Sequence, residues 1–183
     1  MLKNPFQIAI VFALLALIVK LSIYLLGYQH GDMERYIFFI YTLILCINVF
    51  FGIRSNKIMF QNEGRQTKFG DDFKVGARSA SFFAIIVAIT TYVYYAKIDV
   101  DFFEIKQDTL INTYPEKIKN AYLSGALSKN EIKQKIIGDI VNSKLFIYTP
   151  YFQAILTLFG LVFIGLFYSA LFAFTMRKIP GFK

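Results

Sequence analysis

Four runs of apolar residues, at 5–27, 36–53, 75–96 and 151–176, divide the chain and limit the folds open to it. A helix needs about 20 mostly apolar residues, at ~1.5 Å rise each, to cross a bilayer. Backbone polar groups cannot stay unpaired in hydrocarbon, and none of the runs alternates as a barrel strand does. Each run therefore reads as a transmembrane helix. Of the 183 residues, 56% are hydrophobic, and they are gathered in blocks rather than spread over the amphipathic faces of a soluble domain. The expected fold is all-α: one polytopic membrane domain over 1–183, with a short helical insert at 97–150 between the third and fourth spans.

The first run follows Lys3 as a secretory signal would, but it is too long for such a segment. No small-residue cleavage site follows it before Gln29, so it is expected to stay as the first span. The formal net charge is +8, which in a soluble chain would suggest nucleic acid. Here its distribution fits membrane topology better, and no nucleic-acid partner is expected. The loop before span two holds one basic residue, Arg35, beside Asp32 and Glu34. The loop before span three holds five: Arg54, Lys57, Arg65, Lys68 and Lys74. Arg177, Lys178 and Lys183 follow span four. The positive-inside rule then places both termini and the second loop in the cytoplasm. The 97–150 segment carries eight lysines against seven acidic residues and is long enough to escape the rule, so it is expected outside.

The tyrosines follow the same map. Tyr24 and Tyr28 end span one, and Tyr36 and Tyr41 begin span two. Tyr92, Tyr94 and Tyr95 end span three, and Tyr148 and Tyr151 begin span four. All nine fall at the predicted outer ends. An apolar ring with a hydroxyl that seeks water suits the interface. They read either as an ordinary aromatic belt or as an outer pocket for a lipid, glycan or peptide.

Span three carries Gly76, Ala80, Ala84 and Ala88 at four-residue intervals, which puts small residues on one helix face. Span four has a shorter version in Gly165, Ser169 and Ala173. Such faces let backbones approach closely in lipid, so they are expected to meet each other or a second subunit. Asn48 lies in the middle of span two with Gly52 one turn on. A bond across to another helix and a ligand contact are both open to it. Lys20 is the conspicuous charge within a span. It reads as snorkelling or a structural ion pair, or as a substrate or proton site. Arg78, one turn inside span three, suits lipid phosphates.

Asp71 and Asp72 fall where span three should begin and suit a helix N-terminus. An adjacent acidic pair is also a weak pointer to Mg²⁺. Cys46 is the single cysteine and His30 the single histidine, and no cluster offers a metal site, so neither metal nor cofactor is expected. In the insert, 97–114 reads as a continuation of span three, and Ser128-Lys129-Asn130-Glu131 fits a capping box. Ile132, Ile136 and Ile140 then run at helical spacing. These helices would cap the bundle, lie on the outer leaflet, or bind a partner.

The stretch from Gly52 to Glu104 carries a resemblance. It reads Gly52-Ile53-Arg54, then Phe69-Gly70-Asp71-Asp72-Phe73-Lys74-Val75-Gly76. After the small-residue span come Tyr94-Tyr95-Ala96-Lys97-Ile98-Asp99-Val100-Asp101-Phe102-Phe103-Glu104. The chain thereby resembles the Bacteroidota family known as domain of unknown function 4199, small proteins with four predicted spans. The resemblance implies a Gram-negative inner membrane with the insert in the periplasm, and it transfers no catalytic residue. The expected role is a non-enzymatic scaffold or accessory subunit, with a membrane-protein partner or a second copy. The alternative is a small carrier or flippase for a lipid-linked or anionic substrate, using Lys20, Asn48 and the outer tyrosines.

Overall fold

Local chemistry sets several of the helix ends. The computed structural model describes residues 4–29, 33–105, 147 and 149–178. It contains four long α-helices: α1 (Pro5–Leu25), α2 (Met33–Asn62), α3 (Phe69–Val93) and α4 (Pro150–Thr175). A short π-helix, Tyr94–Ile98, follows α3 directly. All four long helices have the length and composition to cross a membrane, with no strand among the described residues. The protein is an all-α integral membrane protein with four candidate spans. Most of the insert, Tyr148 and the capping box at Ser128 among it, lies outside the described residues.

Asn4 caps α1 by accepting from the Phe6 amide at 3.0 Å, and Pro5 takes the first helical position, where a missing N–H is harmless. Gly27 ends the helix at φ +74°. The Gly27 amide donates to Tyr24 O at 2.9 Å and the Tyr28 amide to Ile23 O at 3.1 Å, a Schellman-type closure that only glycine adopts without strain. Gly64, at φ +68°, ends α2 the same way, with the Arg65 amide donating to Phe60 O at 2.9 Å. At the start of α3 the Asp71 carboxylate accepts from the Lys68 amide at 3.0 Å, half of a capping box. Thr149 caps α4, its hydroxyl accepting from the Phe152 amide at 3.2 Å.

Two helices run past their apolar windows. α2 continues nine residues beyond Ile53 to Asn62, and α3 begins six residues before Val75. The 54–74 loop therefore shrinks to 63–68, because its flanks have a buried polar reason to be helical. The expected helical continuation over 97–114 is interrupted. After Ile98 the chain leaves the helix at Asp99 (φ −116°, ψ 63°) and turns before residues 102–105 resume it.

The chain divides into two compact units, Met1–Thr90 with Leu156–Lys183, and Thr91–Ile155. The first has a continuous core of Ala9, Ala13 and Ala16 from α1, Leu45, Val49 and Ile53 from α2, Phe83, Ala84 and Val87 from α3, and Leu161 from α4. Its exterior is apolar too: Ile18, Phe39, Leu43, Ile89, Phe163 and Phe167 are all exposed. A surface of that kind on four membrane-length helices is covered by lipid. The second unit holds an aromatic cluster in which Tyr95 packs on Phe102 and Phe103, both at 4.8 Å between ring centroids.

Candidate functional site

The polar groups inside the first unit lie along one seam, and helix periodicity explains why. On α2, Tyr41, Ile44/Leu45, Asn48/Val49, Gly52/Ile53 and Asn56/Lys57 recur every three to four residues, and all are buried. On α3 the matching stripe runs through Asp72, Gly76, Ser79/Ala80, Phe83/Ala84 and Val87/Ala88. The two stripes meet at two polar points.

The first is mid-membrane. The Asn48 side-chain amide donates to Ser79 O at 3.1 Å, and the Ser79 hydroxyl donates back to Asn48 Oδ1 at 3.1 Å. Both residues are completely buried. Gly52 makes this approach possible, since a Cβ there would lie 3.0 Å from that of Ser79. Asn48→Leu is expected to cost about 0.6–1.7 kcal/mol, the range of interhelical hydrogen bonds in membranes. Thermal unfolding in a mild detergent checks this, and a midpoint equal to wild type would show that the pair contributes nothing.

The second point lies at the end of α2 and the start of α3. Lys57 Nζ is 3.0 Å from Asp72 Oδ2, with the two side chains 5% and 0% exposed. The Thr67 hydroxyl completes a triangle, donating to Asp72 Oδ2 at 3.1 Å and accepting from Lys57 Nζ at 3.3 Å. Asp72 Oδ1 and Asn56 Nδ2 are buried without a hydrogen-bond partner. Asp71 caps its own helix while Asp72 pairs with Lys57, so the two carboxylates take different partners. No group of three His, Cys, Asp or Glu side chains among the described residues could hold a metal ion.

The small-residue faces of α3 and α4 lie against each other. A Cβ added at Gly165 would sit 2.5 Å from that of Ala80, and one at Gly76 would meet Ser169 Oγ at 2.9 Å. The Ser169 hydroxyl turns back to donate to Gly165 O at 2.6 Å. Ala84, Ala88 and Ala173 are also buried. Lys20 sits on the buried face of α1, at 4% exposure, in line with Ala9, Ala13 and Ala16, and it is not left without a partner. It therefore faces the protein rather than the outer surface of α1.

The predicted outer tyrosines separate into two kinds. Tyr28, Tyr36, Tyr92 and Tyr151 are exposed, and Tyr24 is half-buried. Tyr41 is buried in the core of the first unit, and in the second unit Tyr94 and Tyr95 are buried. The Tyr94 hydroxyl donates to the Asp99 carboxylate at 3.0 Å, which ties the π-helix to the turn after it.

Sequence reasoning missed Lys57, Thr67 and Ser79 as polar partners and Ala9, Ala13 and Ala16 as a third small-residue face. The signal for Lys57 was present, because it continues the buried stripe of α2 one turn past Ile53. What the seam can do chemically is hold helices together: most of its donors and acceptors are committed to one another. No curated protein and no solved structure matches the chain. The family model described as protein of unknown function (DUF4199) matches residues 7–178, and the chain belongs to that family.

Proposed function

We propose that the protein is a non-catalytic scaffold or accessory subunit of a membrane complex, inserted in a bacterial inner membrane with both termini cytoplasmic and 97–150 periplasmic. One observation supports this above the others: the mid-membrane Asn48 is bonded on both its oxygen and its nitrogen to Ser79. A carrier needs polar groups that a substrate can reach, and this pair is completely buried between α2 and α3. The exposed Phe159, Phe163 and Phe167 stripe of α4 gives a partner span a rigid aromatic face. Buried Lys20 favours the carrier alternative, in which it would meet an anionic substrate.

Crosslinking in cells followed by mild-detergent purification separates the two. A scaffold is expected to retain one stoichiometric membrane-protein partner, recovered also in the reciprocal pull-down and unaffected by Lys20→Met. Recovery of a lipid-linked or anionic substrate that Lys20→Met abolishes, with no protein partner, would replace this reading with the carrier. Orientation is tested with single cysteines in a Cys46→Ser background. Ser128→Cys is expected to react with an impermeant maleimide in intact spheroplasts, and Gln66→Cys only after lysis.

A further inference from the structure

One apolar groove of the first unit is not explained by helix packing. It has a volume of about 350 Å³ and lies between the first three turns of α1 and the last third of α2. Ile8, Val11, Phe12, Phe51 and Ile58 line it together with Arg54 and Ser55. The Phe12 and Phe51 rings stack at 5.8 Å between centroids. The volume falls within the roughly 300–1,000 Å³ of small-molecule sites.

We propose that this groove binds an anionic phospholipid, an acyl chain lying against Phe12 and Phe51 and the phosphodiester held by Arg54. Three observations carry it. Arg54 directly follows the 36–53 apolar run, which puts it at the boundary between hydrocarbon and headgroups, and it is three residues, about 4.5 Å of helix rise, beyond Phe51. It is also exposed and, among the described residues, without a carboxylate partner. The next two cations along the chain are engaged elsewhere: Lys57 with Asp72, and Arg65 with Glu63. Finally, the groove belongs to two membrane-length helices, so the medium at its mouth is lipid. An occupant must therefore join an apolar tail to an anion at one depth, and a guanidinium matches a phosphodiester with two parallel hydrogen bonds. A partner helix would have to bring a carboxylate to the same level.

The test uses the full chain in mild non-ionic detergent, with native mass spectrometry after adding phosphatidylglycerol or phosphatidylcholine of matched acyl chains. Wild type is expected to retain phosphatidylglycerol roughly tenfold better: both lipids offer the phosphodiester, but the choline of phosphatidylcholine puts a second cation beside Arg54, which repels it. Arg54→Gln should bring the two lipids level. Arg65→Gln, outside the groove, should leave the preference intact, and Val11→Phe should lower retention of both by filling the groove. Arg54 and Val11 are both exposed, so these variants are expected to melt as wild type does. Equal retention of both lipids by wild type overturns the proposal. So does a preference that survives Arg54→Gln, or one that Arg65→Gln removes equally, which would mean bulk charge. Undiminished binding by Val11→Phe, or a co-purifying protein that displaces the lipid, overturns it as well.

Discussion

Replacing Asp72 with Ala is expected to destabilise the protein more than any other single change at the polar seam, by roughly 3–5 kcal/mol. Lys57 is 5% exposed and Asp72 not at all, so solvent does little to screen the pair. Removing the carboxylate leaves an ammonium in the interior with only the Thr67 hydroxyl at 3.3 Å for company. The loss is measured as the fall in thermal midpoint in detergent, together with the yield of monodisperse protein. Lys57→Met combined with Asp72→Leu is expected to recover most of that stability, because removing both charges also removes the desolvation that burdens a buried pair. If Asp72→Ala melts as wild type does, the buried pair has no structural weight. If the double variant is no better than the single, the damage comes from lost helix geometry rather than from an orphaned charge.

Gly165→Leu is the second large effect. The ideal Cβ at this position already falls 2.5 Å from the Cβ of Ala80, well inside contact distance, and Leu45 closes the other side at 3.6 Å. A leucine must therefore push α4 off α3, and overpacking of that kind costs about 1–3 kcal/mol or more. Gly165→Ala is milder because it adds one carbon where leucine adds four, while both gain most of the roughly 1 kcal/mol of helix propensity that glycine lacks. The paired swap, Gly165→Ala with Ala80→Gly, keeps composition and propensity constant and restores the space. It is expected to return the midpoint close to wild type. Full stability in Gly165→Leu, or no recovery in the swap, would mean that the two helices do not meet at this point.

Asn48 and the small residues of α3 and α4 were legible in the sequence because each is anomalous in its surroundings. A polar amide in hydrocarbon and an uninterrupted four-residue spacing stand out against leucine and phenylalanine. Ala9, Ala13 and Ala16 do the same work on α1, yet they sit among residues no less apolar, and nothing local marks them. Lys57 and Asp72 were harder still. Each has a local explanation, as a topogenic loop charge and as a helix-capping acid. Their pairing spans fifteen residues and a turn, which no window of composition detects. The ring of Tyr41 suits both an interface and a core, and only packing shows that it is buried against its neighbours.

By itself the sequence determined four helices long and apolar enough to cross a membrane. Backbone groups in hydrocarbon have few alternatives, and apolar length is a one-dimensional property. It also set several helix ends, since Asn4, Gly27, Gly64 and Thr149 act through bonds to their near neighbours, whereas the extension of α2 and α3 beyond their apolar runs goes with the buried Lys57–Asp72 pair. Which side of each helix faces in was decided by the tertiary structure. In lipid the inward and outward faces are both apolar, so hydrophobicity does not separate them. The choice falls to close approach and to a few polar bonds: Gly165 on Ala80, Asn48 with Ser79, Lys57 with Asp72. Those depend on two helices at once.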